Sequence, residues 1–265
     1  MKLFIPIIAY GGQVHAEFMM SMIRLQMELV RKRFTSQFHL ITAESLISRG
    51  RNSASAFFLK SDCDYMLFVD TDMAFNPTDF NEVASVNKPL VIGAYCKKYL
   101  RKDKIEEYAK RHPSFEKDWE SYVTDFSTEI PSPATLDKIG HCDKVMTVNY
   151  GATGFMLIHR SVFETIIKKR PDLKYKNDID FYMGGEDNFY DFFSVRVNPK
   201  TKKYESEDYG FCQLWRECGG KIYCATNTNL THFGRHDYTG NLYKQLEFWN
   251  SVPTPAPASY LRTHA

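Results

Sequence analysis

The 265-residue sequence predicts an α/β sandwich built on a mainly parallel central sheet. Three observations lead there. Short apolar runs alternate with longer segments whose apolar residues recur at three- and four-residue spacing. The run Tyr65–Val69 is apolar throughout, as in strands covered on both faces. Turn signals such as Tyr10-Gly11-Gly12, Asn76-Pro77 and Gly219-Gly220 fall between these segments rather than inside them.

Each element follows in order. Residues 3–9 read as the first strand, ended by Tyr10-Gly11-Gly12, and residues 14–34 as a helix with Phe18, Met22, Leu25 and Leu29 on one face. Residues 38–42 form a second strand. Residues 48–61 form a helix that turns Ala54, Phe57 and Phe58 inward, and Tyr65–Val69 is the third strand. Asn76 caps a helix, opened by Pro77, that runs to about Val86, and residues 90–95 make the next strand. From 97 to 143 the pattern breaks into charge runs and a Pro-rich turn at 131–133. That stretch reads as a partly helical insertion covering one edge of a cleft. Strands resume at 145–150 and 154–159, followed by a helix in which Ser161 and Glu164 fit a capping box. An aromatic-rich stretch, 175–204, leads to a helix opened by Ser206-Glu207-Asp208, and residues 221–225 form the next strand. Residues 1–250 are expected as one domain, with 251–265 a Pro-rich, extended or disordered tail.

Hydrophobic residues at 43% and charged residues at 25% exclude a disordered or fibrous chain. A net charge of +2 provides no global field for a membrane, and weighs against a nucleic-acid acceptor without excluding one. No apolar run approaches the roughly 20 residues of a membrane span. The first strand begins directly after Met1-Lys2, which predicts no signal peptide, a soluble cytoplasmic protein and six reduced cysteines. The spacing of Cys212, Cys218, Cys224 and His232 invites a zinc site. Their division between a helix and the next strand argues against it.

Asp-x-Asp occurs three times, as Asp62-Cys63-Asp64, Asp70-Thr71-Asp72 and Asp178-Ile179-Asp180. Only Asp70 and Asp72 follow directly on a buried strand, at the carboxyl edge where open α/β sheets bind ligands. Two carboxylates there repel each other unless a cation lies beside them, and a divalent ion shared with phosphate oxygens supplies one. Glu207 and Asp208 stand in a helical first turn, where capping alone accounts for acids. Beside an Asp-x-Asp, one of them also reads as a general base. His232, in Leu230-Thr231-His232-Phe233-Gly234, is a candidate metal ligand.

These signals in this order resemble the GT-A glycosyltransferases over residues 2–250. The resemblance rests on Pro6-Ile7-Ile8-Ala9-Tyr10-Gly11, Arg51-Asn52-Ser53-Ala54, Phe68-Val69-Asp70-Thr71-Asp72-Met73, Gly151-Ala152-Thr153-Gly154-Phe155, Ser206-Glu207-Asp208-Tyr209 and Thr231-His232-Phe233-Gly234. It implies a GT-A, Rossmann-like nucleotide-binding fold and transfer of a sugar from a nucleotide-sugar donor, UDP favoured over GDP, to a glycan or other hydroxyl acceptor. Asp70, Asp72 and His232 would converge on one divalent ion, Asp72 binding it directly, Asp70 reaching the ribose or a metal-bound water and His232 completing the set, with manganese favoured and magnesium possible. Ala9, Tyr10 and Gly11 would line the base pocket, and Arg51 would approach base or diphosphate. Thr71 belongs with the donor residues. The glycines from Gly151 to Gly154 would let the backbone pass close to sugar or acceptor.

In inverting members the base lies in a Glu-Asp pair opening a helix, matching Asp208 with Glu207 beside it. Gly185-Glu186-Asp187 ranks second. The similarity is to small soluble members, often viral or bacterial, which would place the protein in the cytoplasm, the host's if viral. Competing readings are a haloacid-dehalogenase-like phosphohydrolase using Asp70 and Asp72, a nucleotidyltransferase and a non-catalytic nucleotide-sugar-binding protein. The first expects Thr or Val where Ala74 stands. The second wants a Gly- and Arg-rich loop after the first strand. Loss of Asp72, His232 or Asp208 would mark the third, and all are present.

Overall fold

The computed structural model describes residues 1–112, 114–129 and 144–250. The first half runs β1 (Lys2–Ala9), α1 (Ala16–Arg31), β2 (Thr35–Thr42), α2 (Ile47–Lys60), β3 (Tyr65–Val69), β4 (Met73–Ala74), α3 (Pro77–Ser85) and β5 (Leu90–Gly93). There follow β6 (Cys96–Leu100), α4 (Lys102–Arg111), α5 (Glu120–Val123), β7 (Thr124–Phe126), β8 (Thr128–Glu129), β9 (Val145–Val148), β10 (Tyr150–Gly151), β11 (Phe155–His159) and α6 (Arg160–Lys169). The chain continues through β12 (Arg196–Val197), β13 (Tyr204–Glu205), α7 (Glu207–Glu217), β14 (Ile222–Ala225), β15 (Leu230–Phe233), β16 (Asp237–Gly240) and α8 (Leu242–Asn250). The expected turn at 131–133, Cys142 and the expected tail at 251–265 lie outside the described residues.

Among the described residues the central sheet has the order β2-β1-β3-β11-β5-β14-β9. β1 pairs in parallel with β2 and β3, and β14 with β5. β11 and β9 run against their neighbours, so the sheet is mostly rather than wholly parallel. Side-chain alternation sorts β1 between two cores. Leu3 and Ile5 face Phe18, Met22, Leu25 and Leu29 of α1 and Phe80 and Val83 of α3. Phe4 faces the opposite layer, where Phe58 of α2, Phe163 of α6 and Phe211 of α7 are buried. This three-layer α/β sandwich is consistent with the GT-A Rossmann-like arrangement that the resemblance implied.

Two local expectations change. β2 begins three residues early because the whole of 35–42 pairs with β1, from Lys2↔Thr35 to Ala9↔Thr42. Its polar start lies on the sheet edge, where backbone pairing rather than burial makes the strand. α6 is capped by His159, whose Nδ1 accepts from the Ser161 amide at 3.2 Å, so the expected Ser161–Glu164 box is not the cap. Asn76 and Asp79, by contrast, form a reciprocal capping box on α3.

The described part of the insertion is integrated into the fold. β6 pairs with β7, and Gln245 of α8 donates to the Ser121 and Thr124 carbonyls at 2.8 and 2.9 Å. In the aromatic stretch, Phe189, Phe192 and Phe193 are buried, and Phe193 stacks on Phe211 at 4.4 Å, so they build core beneath α7. Cys63, Cys96, Cys212, Cys218 and Cys224 are buried and carry no disulfide. Among the described residues no helix is long and apolar enough to cross a membrane.

Candidate active site

β1 and β3 are parallel neighbours, so their carboxyl ends share one edge of the sheet. A cavity of about 580 Å³ opens there. Ile8, Gln13, Val14 and His15 line it from the end of β1 and the turn beyond, Ile47 and Arg51 from α2, and Asp70, Thr71 and Asp72 from the end of β3. Backbone bonds hold the acidic turn on three sides. The Asp70 amide donates to the Gly154 carbonyl at 3.2 Å, the His15 amide to the Thr71 carbonyl at 3.1 Å, and the Phe233 amide to the Asp72 carbonyl at 2.8 Å.

The last of these bonds brings in a distant part of the chain. β15 pairs with β4, setting His232 opposite Met73. The His232 Nε2 thereby comes to 3.5 Å from Asp72 Oδ2. Its Nδ1 lies 2.9 Å from the Cys96 carbonyl, which can only accept, so Nδ1 is the donor there. With Nδ1 engaged on the backbone, Nε2 is the ring atom that faces Asp72, and it is the nitrogen a metal ion would take. At metal–ligand distances of about 2.0–2.2 Å, donors 3.5 Å apart suit one ion. Lys98 of β6 reaches the same carboxylate, with Nζ 2.5 Å from Oδ2. Burial works against the Asp72 charge, but the hydrogen bonds from His232 and Lys98 outweigh it and bring the carboxyl down to about 2.

Asp70 turns the other way. Arg51, buried in α2, donates from Nη2 to Asp70 Oδ1 at 2.9 Å and from Nε to Glu207 Oε1 at 3.2 Å. Its guanidinium also lies over the Phe68 ring, 5.3 Å from the centroid. One cation thus ties the end of β3 to the first turn of α7. Burial opposes the Arg51 charge, and the Asp70 and Glu207 carboxylates more than offset it. Asp208 stands next along α7. Burial raises its carboxyl above the ordinary range, Glu207 adds to the rise, and Ser206, Arg51 and the Tyr209 amide oppose it. Ser206 occupies the cap position, yet its hydroxyl donates to Asp208 Oδ1 instead of capping the helix. The Tyr209 amide donates to the same oxygen at 2.8 Å. Oδ2 of Asp208 has no hydrogen-bond partner among the described residues.

Of the residues singled out in the sequence, Arg51, Asp70, Thr71 and Asp72 line the cavity, and His232 joins Asp72. Asp70 pairs with Arg51 rather than converging on Asp72 and His232. No group of three or more His, Cys, Asp or Glu among the described residues is placed to hold a metal ion. The Arg51 fork expected at base or diphosphate is engaged by two carboxylates. Ala9, Tyr10 and Gly11 do not line the cavity. Ala9 is buried and Tyr10 is 71% exposed, and the neighbouring Ile8 and Gln13 to His15 take that position.

Gly154 answers a different need from the one expected. A Cβ there would fall 2.5 Å from the Tyr95 ring and hydroxyl, so the missing side chain makes room for Tyr95. The Gly154 amide donates to that hydroxyl at 3.3 Å. The second Glu-Asp pair lies on a single 3-10 turn, Glu186–Asn188, which packs on α2. Sequence reasoning missed Ile47, His15 and Lys98. Ile47 and His15 flank helix starts near the first two strand ends and were open to discovery on that ground. Lys98 sits in a charge run with no local sign of its partner.

No family model and no curated protein matches the chain. Among solved structures, A197 from STIV is similar over 91% of this chain and 94% of its own, with 17% identity and a TM-score of 0.48. GalNAc-T7, solved with UDP, GalNAc and Mn2+, is similar over 98% of this chain at 10% identity and a TM-score of 0.45. This chain spans 46% of the length of that one. At these scores the strand order and layering described above, not the neighbours, define the fold.

Proposed function

We propose that this protein is a metal-dependent glycosyltransferase that moves a sugar from a nucleoside-diphosphate donor, UDP in preference to GDP, to an acceptor hydroxyl with inversion. One observation carries the reading. The Asp-x-Asp turn, His232 and the helix bearing Glu207 and Asp208 lie far apart in sequence and meet at one sheet edge, His232 against Asp72 and Glu207 tied to Asp70 through Arg51.

Asp72 and His232 would hold manganese in preference to magnesium, because an imidazole beside a carboxylate suits the transition ion better than the harder magnesium. When bound, the ion supplies positive charge where the leaving diphosphate becomes negative. The cavity between β1, α2 and the acidic turn takes the nucleotide, with Ile8, Val14 and Ile47 as apolar walls for the base. Asp208 is the base. The acceptor oxygen forms its bond to the anomeric carbon as the bond from that carbon to the phosphate oxygen breaks, and the acceptor proton passes to Asp208 Oδ2. A carboxyl raised by burial accepts that proton more readily than an ordinary one. Glu207 neutralises Arg51 and positions the first turn of α7. The acceptor, a glycan or another hydroxyl compound, approaches from the side of β6, where Lys98 already borders the acidic turn.

A donor-hydrolysis screen across nucleotide sugars with Mn2+ tests this. Slow release of one nucleoside diphosphate, abolished by chelator, is expected. Phosphate release from simple phosphomonoesters, with no nucleotide-sugar turnover, would overturn the reading in favour of a phosphohydrolase.

A further inference from the structure

The geometry points to Lys98 as a tethered competitor of the divalent ion, which couples metal binding to nucleotide binding. This rests on the metal site proposed above. The Lys98 ammonium lies 2.5 Å from Asp72 Oδ2, the oxygen that also faces His232 Nε2 at 3.5 Å. It therefore satisfies the carboxylate from the side of the chain before any metal arrives.

Its place is built into the fold. The Cys96 carbonyl, two residues earlier on β6, accepts a hydrogen bond from His232 Nδ1, so one strand both orients the imidazole and delivers the lysine. The Lys98 stem crosses Gly234, where an added Cβ would lie 3.1 Å from Lys98 Cδ. Any side chain at position 234 would crowd this path.

An ammonium and a dication on one carboxylate oxygen repel strongly at such short range. In the free protein they exclude one another, and the metal must displace Lys98. A diphosphate changes this balance, because its oxygens bring negative charge for both the ion and the released ammonium. Metal and nucleotide should then bind better together than separately, and by linkage each strengthens the other by the same factor.

The test is titration of Mn2+, followed calorimetrically and by the paramagnetic resonance of free Mn2+, with and without UDP. Wild type, Lys98→Met and Lys98→Arg are compared. Lys98→Met should bind Mn2+ alone about 10- to 100-fold more tightly than wild type, and UDP should strengthen its Mn2+ binding by a smaller factor. Lys98→Arg, which keeps a cation, should resemble wild type. Equal or weaker Mn2+ affinity in Lys98→Met, with an unchanged melting temperature, would overturn the competition and leave the metal site standing. An unchanged UDP factor would overturn the coupling. Mn2+ bound by none of the three, even with UDP, would overturn the metal site and this inference with it.

Discussion

Replacing Asp208 by Asn separates a proton-accepting carboxylate from a side chain that merely shapes a helix start. Oδ1 of Asp208 accepts from the Ser206 hydroxyl and the Tyr209 amide, and the amide oxygen of Asn accepts both. Because burial raises the Asp208 carboxyl, the folded state holds that proton more tightly than the unfolded chain. The associated stability is whole below the unfolded pKa of about 3.9 and is lost as pH rises through the folded value. At neutral pH the charged carboxylate therefore costs the fold, and Asp208→Asn should be as stable as wild type or more so. The difference should shrink toward pH ~3. Catalysis responds in the opposite sense. Losing the base should slow transfer at least ~100-fold, about 2.7 kcal/mol on the barrier. Nucleotide release from the donor identified by hydrolysis screening, measured with acceptor, gives the rate, while calorimetric titration of UDP with Mn2+ should show donor binding retained. Transfer within a few-fold of wild type would refute the role. A product with retained anomeric configuration by NMR would refute it independently, since retention needs no base in this position.

Other outcomes follow from the neighbouring contacts. Arg51→Met leaves Asp70 and Glu207 without their guanidinium. Their side chains are 34% and 13% exposed, so the loss should lie near the low end for a broken buried pair, about 3 kcal/mol by urea unfolding. A loss below ~1 kcal/mol would show that Arg51 does not tie β3 to α7. His232→Ala should remove the Mn2+-dependent share of UDP binding, and equal UDP affinity with Mn2+ and with chelator in wild type would sink the metal assignment. Asp72 is held at about 2, so its contribution to stability is present above the unfolded pKa and lost as pH falls through about 2. The melting-temperature gap between wild type and Asp72→Asn should thus narrow from pH 5 downward, and a constant gap would contradict the assigned pairing. Gly154→Ala forces a methyl to 2.5 Å from Tyr95 and should cost about 1–3 kcal/mol in thermal unfolding. Because the Gly154 carbonyl holds the Asp70 amide, UDP binding should weaken with it.

Much of this was legible in the sequence because burial and backbone geometry leave local marks. Tyr65–Val69 is a strand with the expected bounds, since a strand covered on both faces is apolar at every position. Asn76 and Pro77 open α3 because capping depends on residues within one turn. The position of Asp70 and Asp72 at a strand end follows from the same local reading, as does the placement of Glu207 and Asp208 in the first turn of α7.

Tertiary structure alone decided who meets whom. The reversal of β11 and β9 leaves no local trace, because an apolar strand has the same pattern in either direction. The pairing of β15 with β4, which carries His232 to Asp72, depends on closure of a chain segment of more than 150 residues. Nothing near position 98 names Asp72 as a partner, nothing near 51 names both Asp70 and Glu207, and only the Tyr95 ring explains Gly154. Periodicity reports which face of an element is buried, whereas partners depend on which elements the whole fold brings to one edge of the sheet.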